Sequence, residues 1–386
     1  MQDFLIENFN TFHLFIALLF IPFIYIITNY LIFHYNLDKL YCYFLFIYHL
    51  MFSFIYINFV GNNAGDLAFY VQESKYFFDD GNFIEFLIDY NRALHFVGTN
   101  FIIFISSLLD KLTLGNYLLI NIIFNFLAYV GILIFLILFS ETAVYQNNYY
   151  KVIIYLLLLL PSLHFFNSSI GKDAISFFLI SFSLLLLKKN KFFYYFIVIF
   201  IIFLIRPYLG FIFLITFILS SFINLDYARL SSYLKILFPM IFIILIIPFT
   251  SNFTGYDIYS FDLEAFKEII KNKENFYISA DNFITKRNNI ILDMFIYNYR
   301  INFGNPLLIL TSLENLILLF LLFIFIIKIN INWIFEKNNF FVLYLLISSI
   351  SIFFIYTITT FNYGIIIRQK WQFELILSLF MFYSIS

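Results

Sequence analysis

Residues 116–139 read NYLLINIIFNFLAYVGILIFLILF, an apolar run without one charged side chain. Such a run suits the hydrocarbon core of a bilayer, which takes about 20 apolar residues per crossing and, with tilt, about 17–25. Similar runs lie near 11–33, 40–60, 152–168, 173–187, 192–206, 208–224, 234–250, 306–328, 339–360 and 371–386. The pattern predicts an all-α, polytopic integral membrane protein with about eleven transmembrane helices. Composition agrees. The chain is 63% hydrophobic and 12% charged, with a mean hydropathy of +0.93, where a soluble domain is about 25% charged. A soluble fold of 386 residues cannot hide that much apolar surface, so the expected solvent is lipid.

Several middle runs are short and have polar ends, as do helices that stop at a cavity inside the protein. Residues 192–224 also read as one helix kinked at Pro207. No repeat or low-complexity linker divides the chain, so residues 1–386 read as a single membrane domain. Two polar segments stand out as loops, 61–115 with amphipathic helices and 251–305 as a lid.

Some functions are excluded early. A net charge of −1 gives no basic field for nucleic acid. One cysteine, Cys42, allows neither an intramolecular disulfide nor a cysteine metal site. There is no Walker motif, GxGxxG, HExxH or metal-spaced histidine cluster. No cofactor and no metal ligand is indicated, and a divalent metal is left open. His164, Ser168 and Asp173 supply the residue types of a triad without a nucleophile elbow. With 60 Phe and 30 Tyr, the composition suggests an AT-rich genome, so single Phe, Tyr or Asn positions carry little weight. The start, MQDFLIENFN, has no basic residue before its apolar run and reads as a retained helix, not a signal peptide.

Orientation follows from short basic loops. The clearest is KKNK, Lys188 to Lys191, placed in the cytoplasm. Alternation then puts the N-terminus, 61–115, 169–172, 206–207, 251–305 and 361–370 outside and the C-terminus inside. Five of the six arginines, Arg92, Arg206, Arg287, Arg300 and Arg368, fall outside, and Arg229 falls inside. A guanidinium is a permanent, planar fork suited to phosphate. An arginine-rich external face therefore fits a lipid phosphate or diphosphate.

Individual charges sharpen this. In PSLHFFNSSIGKDAISFF, Lys172 and Asp173 sit between apolar runs. A helix beginning there offers its positive end beside an ammonium, an anion site. The plainer alternative is a pair that shapes a turn. Arg206 precedes a helix-breaking proline and reads as cavity lining, or else as a side chain snorkelling to the interface. Arg368 and Lys370 of NYGIIIRQKW precede Trp371, an expected interfacial anchor. Arg300 in YNYRINFGNP lies just before a span and is a phosphate candidate. Glu314 and Glu374 also lie close to apolar runs, where an ionisable group faces a cavity or a partner. Asp66 follows a span closely enough to sit at a cavity mouth, where a carboxylate deprotonates a hydroxyl. It is equally suited to cap the helix that Leu67, Tyr70, Val71 and Phe77 outline, and the two roles are compatible. Arg92 and His95 in the same loop are further substrate-binding candidates, His95 also reading as an interfacial packing residue. Asp173 and Lys370 complete the substrate-binding set.

The order GD–AFY, PSLHFFNSSIGKD, IRPYLG, NYGIIIRQKW resembles the Wzy- and EpsG-like polymerases of bacterial surface-polysaccharide clusters. It also resembles the wider GT-C glycosyltransferase superfamily, over about residues 55–375. The resemblance implies a GT-C-like fold with an essential acid in an early external loop that carries interfacial helices. Asp66 matches that acid. It also implies basic residues that hold a polyprenyl phosphate or diphosphate, matched by Lys172, Arg206 and Arg368. The loop here follows the second predicted span, where the GT-C pattern has it after the first. Polymerases of the Wzy type rely on arginines in place of an acid.

The function expected is glycan transfer from a polyprenyl-(di)phosphate donor to a glycan acceptor, in O-antigen, capsule or exopolysaccharide synthesis. The location expected is the external face of a bacterial inner membrane. Implied partners are the polyprenyl-linked glycan, membrane lipids and other polysaccharide-assembly proteins, with no nucleic acid. A lipid-linked glycan flippase or other transporter is the main rival. It calls for charges near the middle of spans, and often for internal repeats. A structural subunit of an export complex is the third reading.

Overall fold

The computed structural model describes residues 11–62, 66–76, 97–223, 271–272, 274–275, 290–302, 304, 306–329 and 340–385. Regular structure among them is helical. The chain forms two compact units, one of residues 1–141 and 152–207, the other of 142–151 and 208–386.

The first unit contains α1 (Thr11–Leu19), α2 (Ile21–Tyr35), α3 (Lys39–Asn62), α4 (Asp66–Tyr76), α5 (Thr99–Thr113) and α6 (Tyr117–Ser140). It continues with α7 (Asn148–Leu158, its first residues counted with the second unit), α8 (Pro161–Asn167), α9 (Lys172–Lys188) and α10 (Phe192–Ile205). At the centre is α6, which is apolar all round and buried along most of its length, as a core helix must be. It starts where the Asn116 side chain accepts from the Leu119 amide at 3.0 Å, a side-chain cap. The α9 helix packs along α6. Gly131 permits that contact, because a Cβ there would lie 3.0 Å from Phe177 Cδ1 and 3.1 Å from Phe178 Cα. Asn36 ends α2 in the left-handed region at φ 51°, a conformation Asn tolerates better than most residues. The α4 helix buries Tyr70, Val71 and Ser74 and packs on α5. Of its predicted apolar face, Tyr70 and Val71 are covered by protein and Leu67 is half-buried, while Phe77 lies outside the described residues.

The second unit contains a 3-10 turn (Ala143–Gln146), α11 (Pro207–Ile223, its first residue counted with the first unit), α12 (Ile290–Asn298), α13 (Pro306–Lys328), α14 (Phe340–Thr359), α15 (Tyr363–Gln369) and α16 (Trp371–Ser384). Here α16 packs along α14. The Phe353 and Phe373 rings meet at 4.9 Å between centroids, and the Tyr356 hydroxyl donates to Gln372 Oε1. Asn362 caps α15, accepting from the Gly364 amide at 2.9 Å.

Burial is inverted relative to a soluble protein. Phe33 is 91% exposed, and Phe320 and Phe323 are each 62% exposed. Asp173, Arg206, Glu314, Lys370 and Glu374 are all buried. Exposed large apolar faces around a charged interior are the informative departure from the soluble pattern, and they fit a helical protein solvated by lipid.

Among the described residues five helical segments are long and apolar enough to cross a membrane, Phe15–Tyr35, Lys39–Phe59, Tyr117–Ser140, Leu308–Lys328 and Phe340–Thr359. A sixth arises if α7 and α8, bent by 40° at their break, count as one. Among the described residues the expected eleven spans are not reached. Most predicted runs are helices close to their predicted bounds, and several are too short to cross. The 17 residues of α9 extend only about 26 Å at 1.5 Å per residue. The 14 residues each of α10 and α16 reach about 21 Å, against a core about 30 Å thick. The break at Pro207 follows the end of α10 and the one at Lys370 precedes α16, while Gly171 and Lys189 bound α9. The predicted span 234–250 lies outside the described residues.

Candidate functional site

Three chains of polar contacts run through the buried interior, two in the first unit and one in the second.

In the first unit, α10 ends at Arg206. Its amide donates to the Ile202 carbonyl at 2.7 Å, and Pro207, which lacks an N–H, begins the next helix. The break leaves the guanidinium buried, and it donates through Nη2 to Asp173 Oδ1. Asp173 is on the first turn of α9, where helix polarity favours a negative charge. Lys172, half-buried, opens the same helix. Gly171, just before it, is within reach of α4. A Cβ built at Gly171 would lie 3.8 Å from Tyr70 Cε2. Asp66 is the first residue of α4, one turn before Tyr70. Its side chain is outside the described set. The Gly98 amide, at φ 74°, donates to the Leu204 carbonyl at 2.7 Å, tying the entry of α5 to the end of α10.

Asp173 thus pairs across helices with Arg206. Of the four phosphate contacts expected from the sequence, Lys172 and Arg206 lie in this unit with the start of α9 and a carboxylate bonded to the guanidinium, and Arg300 and Arg368 lie in the other. Arg206, read from the sequence as cavity lining or as a side chain snorkelling to the interface, is 6% exposed.

A second network lies deeper in the same unit. The break before Pro161 leaves the Leu158 carbonyl to a side chain, and His164 Nε2 takes it at 2.8 Å. A donor at Nε2 leaves Nδ1 as acceptor in the neutral ring. His49 Nδ1, 2.9 Å away, therefore donates to it. Asn125 Nδ2 donates to the carbonyls of His49 and Ser168 at 3.3 and 3.2 Å. Asn121 Nδ2 donates to Ser53 Oγ at 2.6 Å, and its Oδ1 accepts from the Ile170 amide at 3.3 Å. These contacts hold the loop before Lys172 against α3 and α6. They also dismiss a triad, since His164 is committed to His49, Ser168 Oγ donates to the Phe165 carbonyl at 3.1 Å, and Asp173 holds Arg206.

In the second unit the centre is Lys370, 1% exposed at the junction of α15 and α16. Its ammonium donates to Asn315 Oδ1 at 2.9 Å and lies 3.5 Å from Glu314 Oε2. Asn315 Nδ2 donates to the Arg300 carbonyl at 2.9 Å, as does the Tyr363 hydroxyl at 2.9 Å. The Arg300 guanidinium lies over the Tyr363 ring, 5.5 Å from its centroid. Tyr299 faces Glu374. Burial first, and then the nearby carboxylate, hold the Tyr299 phenol well above its ordinary range, so it remains a donor. Arg300 and Lys370 are therefore linked through one asparagine. Lys370, proposed from the sequence as a substrate contact, is committed inside the protein. Arg368 is half-buried on α15.

Arg92 and His95 lie outside the described residues, as do Arg287 and Arg229. Sequence reasoning passed over His49, Asn315, Tyr299 and Tyr363. A usable signal existed for Asn315, because TSLENLILL puts Glu314 and Asn315 side by side in a span, and an acid there calls for a partner. Among the described residues no three His, Cys, Asp or Glu side chains gather as metal ligands. Against models of protein families, curated proteins and solved structures, the chain has no match.

Proposed function

We propose that the chain is a membrane glycosyltransferase or polysaccharide polymerase acting on a glycan carried by polyprenyl phosphate or diphosphate, at the external face of a bacterial inner membrane. The observation that carries this reading is Arg206, buried at a helix break against Asp173 on the first turn of α9, beside Lys172. An arginine fork, an ammonium and a helix N-terminus are together the chemistry of a phosphate site. The donor phosphate would replace the Asp173 carboxylate on Arg206.

In the transfer, a carboxylate takes the proton of the acceptor hydroxyl. That oxygen bonds to the anomeric carbon, and the carbon–oxygen bond to the donor (di)phosphate breaks. The polyprenyl (di)phosphate leaves with the electron pair. Asp66 is the proposed base. Lys172 and Arg206, both in the first unit, are the proposed phosphate contacts, with Arg92 and His95 of the predicted external loop proposed for the glycan. Preorganised charge in a dry site is the large contribution such a reaction draws on.

The test is turnover in lipid vesicles. Purified full-length protein is mixed with polyprenyl-diphosphate oligosaccharide, and both the lengthened glycan and the released lipid diphosphate are measured. Wild type is expected to give both in equal amounts, and Arg206→Lys, which keeps the charge but loses the fork, neither. Equal turnover by Arg206→Lys at equal protein level would contradict the assignment.

A second reading has its own observation. Glu314 lies inside a long span, and Lys370 and Glu374 sit at a broken helix. Buried charge at discontinuous helices is a transporter trait. In a flippase for the same lipid-linked glycan, the protein would move the labelled donor across vesicles without lengthening it.

A further inference from the structure

Glu374 is on the first turn of α16, 2% exposed. Its Oε1 has no hydrogen-bond partner. Tyr299 meets the carboxyl with its hydroxyl, and the cation acting on it is Lys370, one turn earlier. That ammonium is already engaged, donating to Asn315 at 2.9 Å and lying 3.5 Å from Glu314. The elements packed on α16 add little. The α14 helix has no charged residue, and its Tyr356 hydroxyl is given to Gln372. The 3-10 turn Ala143–Gln146 has Tyr145 as its titratable group. On α15 the charged residue is Arg368, six positions before Glu374 and half-buried.

An ionised Glu374 would thus share one ammonium with a second carboxylate and keep an oxygen without a donor. A buried charge in that state costs several kcal/mol per ion. The neutral acid removes the cost and leaves Lys370 and Glu314 as a matched pair. We propose that Glu374 is a proton-binding site, protonated at neutral pH. A proton is the ligand that fits, since no larger solute reaches so enclosed a side chain.

Release of that proton would draw Lys370 toward α16 and away from Asn315 and Glu314. Asn315 also holds the Arg300 carbonyl, so the proton is coupled to the segment carrying Arg300. The inference is independent of the glycan reading.

Infrared difference spectroscopy of the full chain in a lipid bilayer tests it. At neutral pH the wild type is expected to show a protonated-carboxyl C=O band that shifts in D2O and disappears on alkalinisation. Glu374→Asp is expected to move the band, Glu314→Asp to leave it in place, and Glu374→Gln to abolish it. Absence of an exchangeable band in wild type, or a band indifferent to Glu374→Asp, would overturn the proposal. Glu374→Gln mimics the neutral acid, so its failure to fold would count against the proposal as well.

Discussion

Arg206 and Asp173 depend on each other. Both are buried, so truncating either one removes a bonded partner from a buried charge. Asp173→Ala is therefore expected to destabilise the folded protein by about 3–5 kcal/mol. Asp173→Ala combined with Arg206→Met, which removes both charges, is expected to recover most of that loss. Thermal unfolding in a fixed detergent measures it, and a double variant as unstable as the sum of the singles would refute the pairing. Glu374 gives a second prediction with a definite sign. A neutral acid in the folded state, ionised when unfolded, favours folding most at low pH. That contribution falls as pH rises above the ordinary glutamate value of about 4.3. Relative to wild type, Glu374→Gln is expected to lose this decline, which melting temperatures across pH report. The charges at these positions were legible in the sequence because they interrupt apolar runs. Their partners were not. Arg206 meets a residue on another helix, and Lys172, its partner's neighbour in sequence, was the closer candidate for Asp173. Asn315 had a signal only through Glu314 beside it in a span, since a chain so rich in asparagine gives a single Asn no prior weight.

The helices were legible as apolar runs, and nearly every described run is one. Some ends were harder to place, because a run read for hydropathy, 152–168, passes through the break at Pro161. That break divides one expected span into two helices, and it and the break at Pro207 bring polar groups inward. His164 answers the Leu158 carbonyl exposed by one break, and Arg206 occupies another. The amphipathic α4 was also legible, although its partner is α5. Helix packing makes its own prediction at Gly131. A methyl group there meets α9 at 3.0–3.1 Å. Gly131→Ala is expected to cost about 1–3 kcal/mol, and Gly131→Leu more, both read from thermal unfolding. An unchanged melting temperature for Gly131→Leu would mean that α6 and α9 do not pack this way.

At the scale of the molecule, lipid exposure and a charged interior answer each other. Helix faces such as that of Phe320 and Phe323 need no protein cover in a bilayer, which leaves buried volume for Asp173, Arg206, Glu314, Lys370 and Glu374. Membrane class was legible from composition alone, since no soluble fold hides 63% hydrophobic residues. Division into two compact units was not legible, for no linker or composition shift marks it. The glycan reading is tested most directly in a strain lacking this chain. Its surface polysaccharide is run on a gel beside strains complemented with wild type, Asp66→Ala and Arg206→Lys at matched protein levels. The account predicts collapse from a ladder to a single short unit, restored by wild type and by neither variant. A ladder unchanged in the deletion strain would contradict the account.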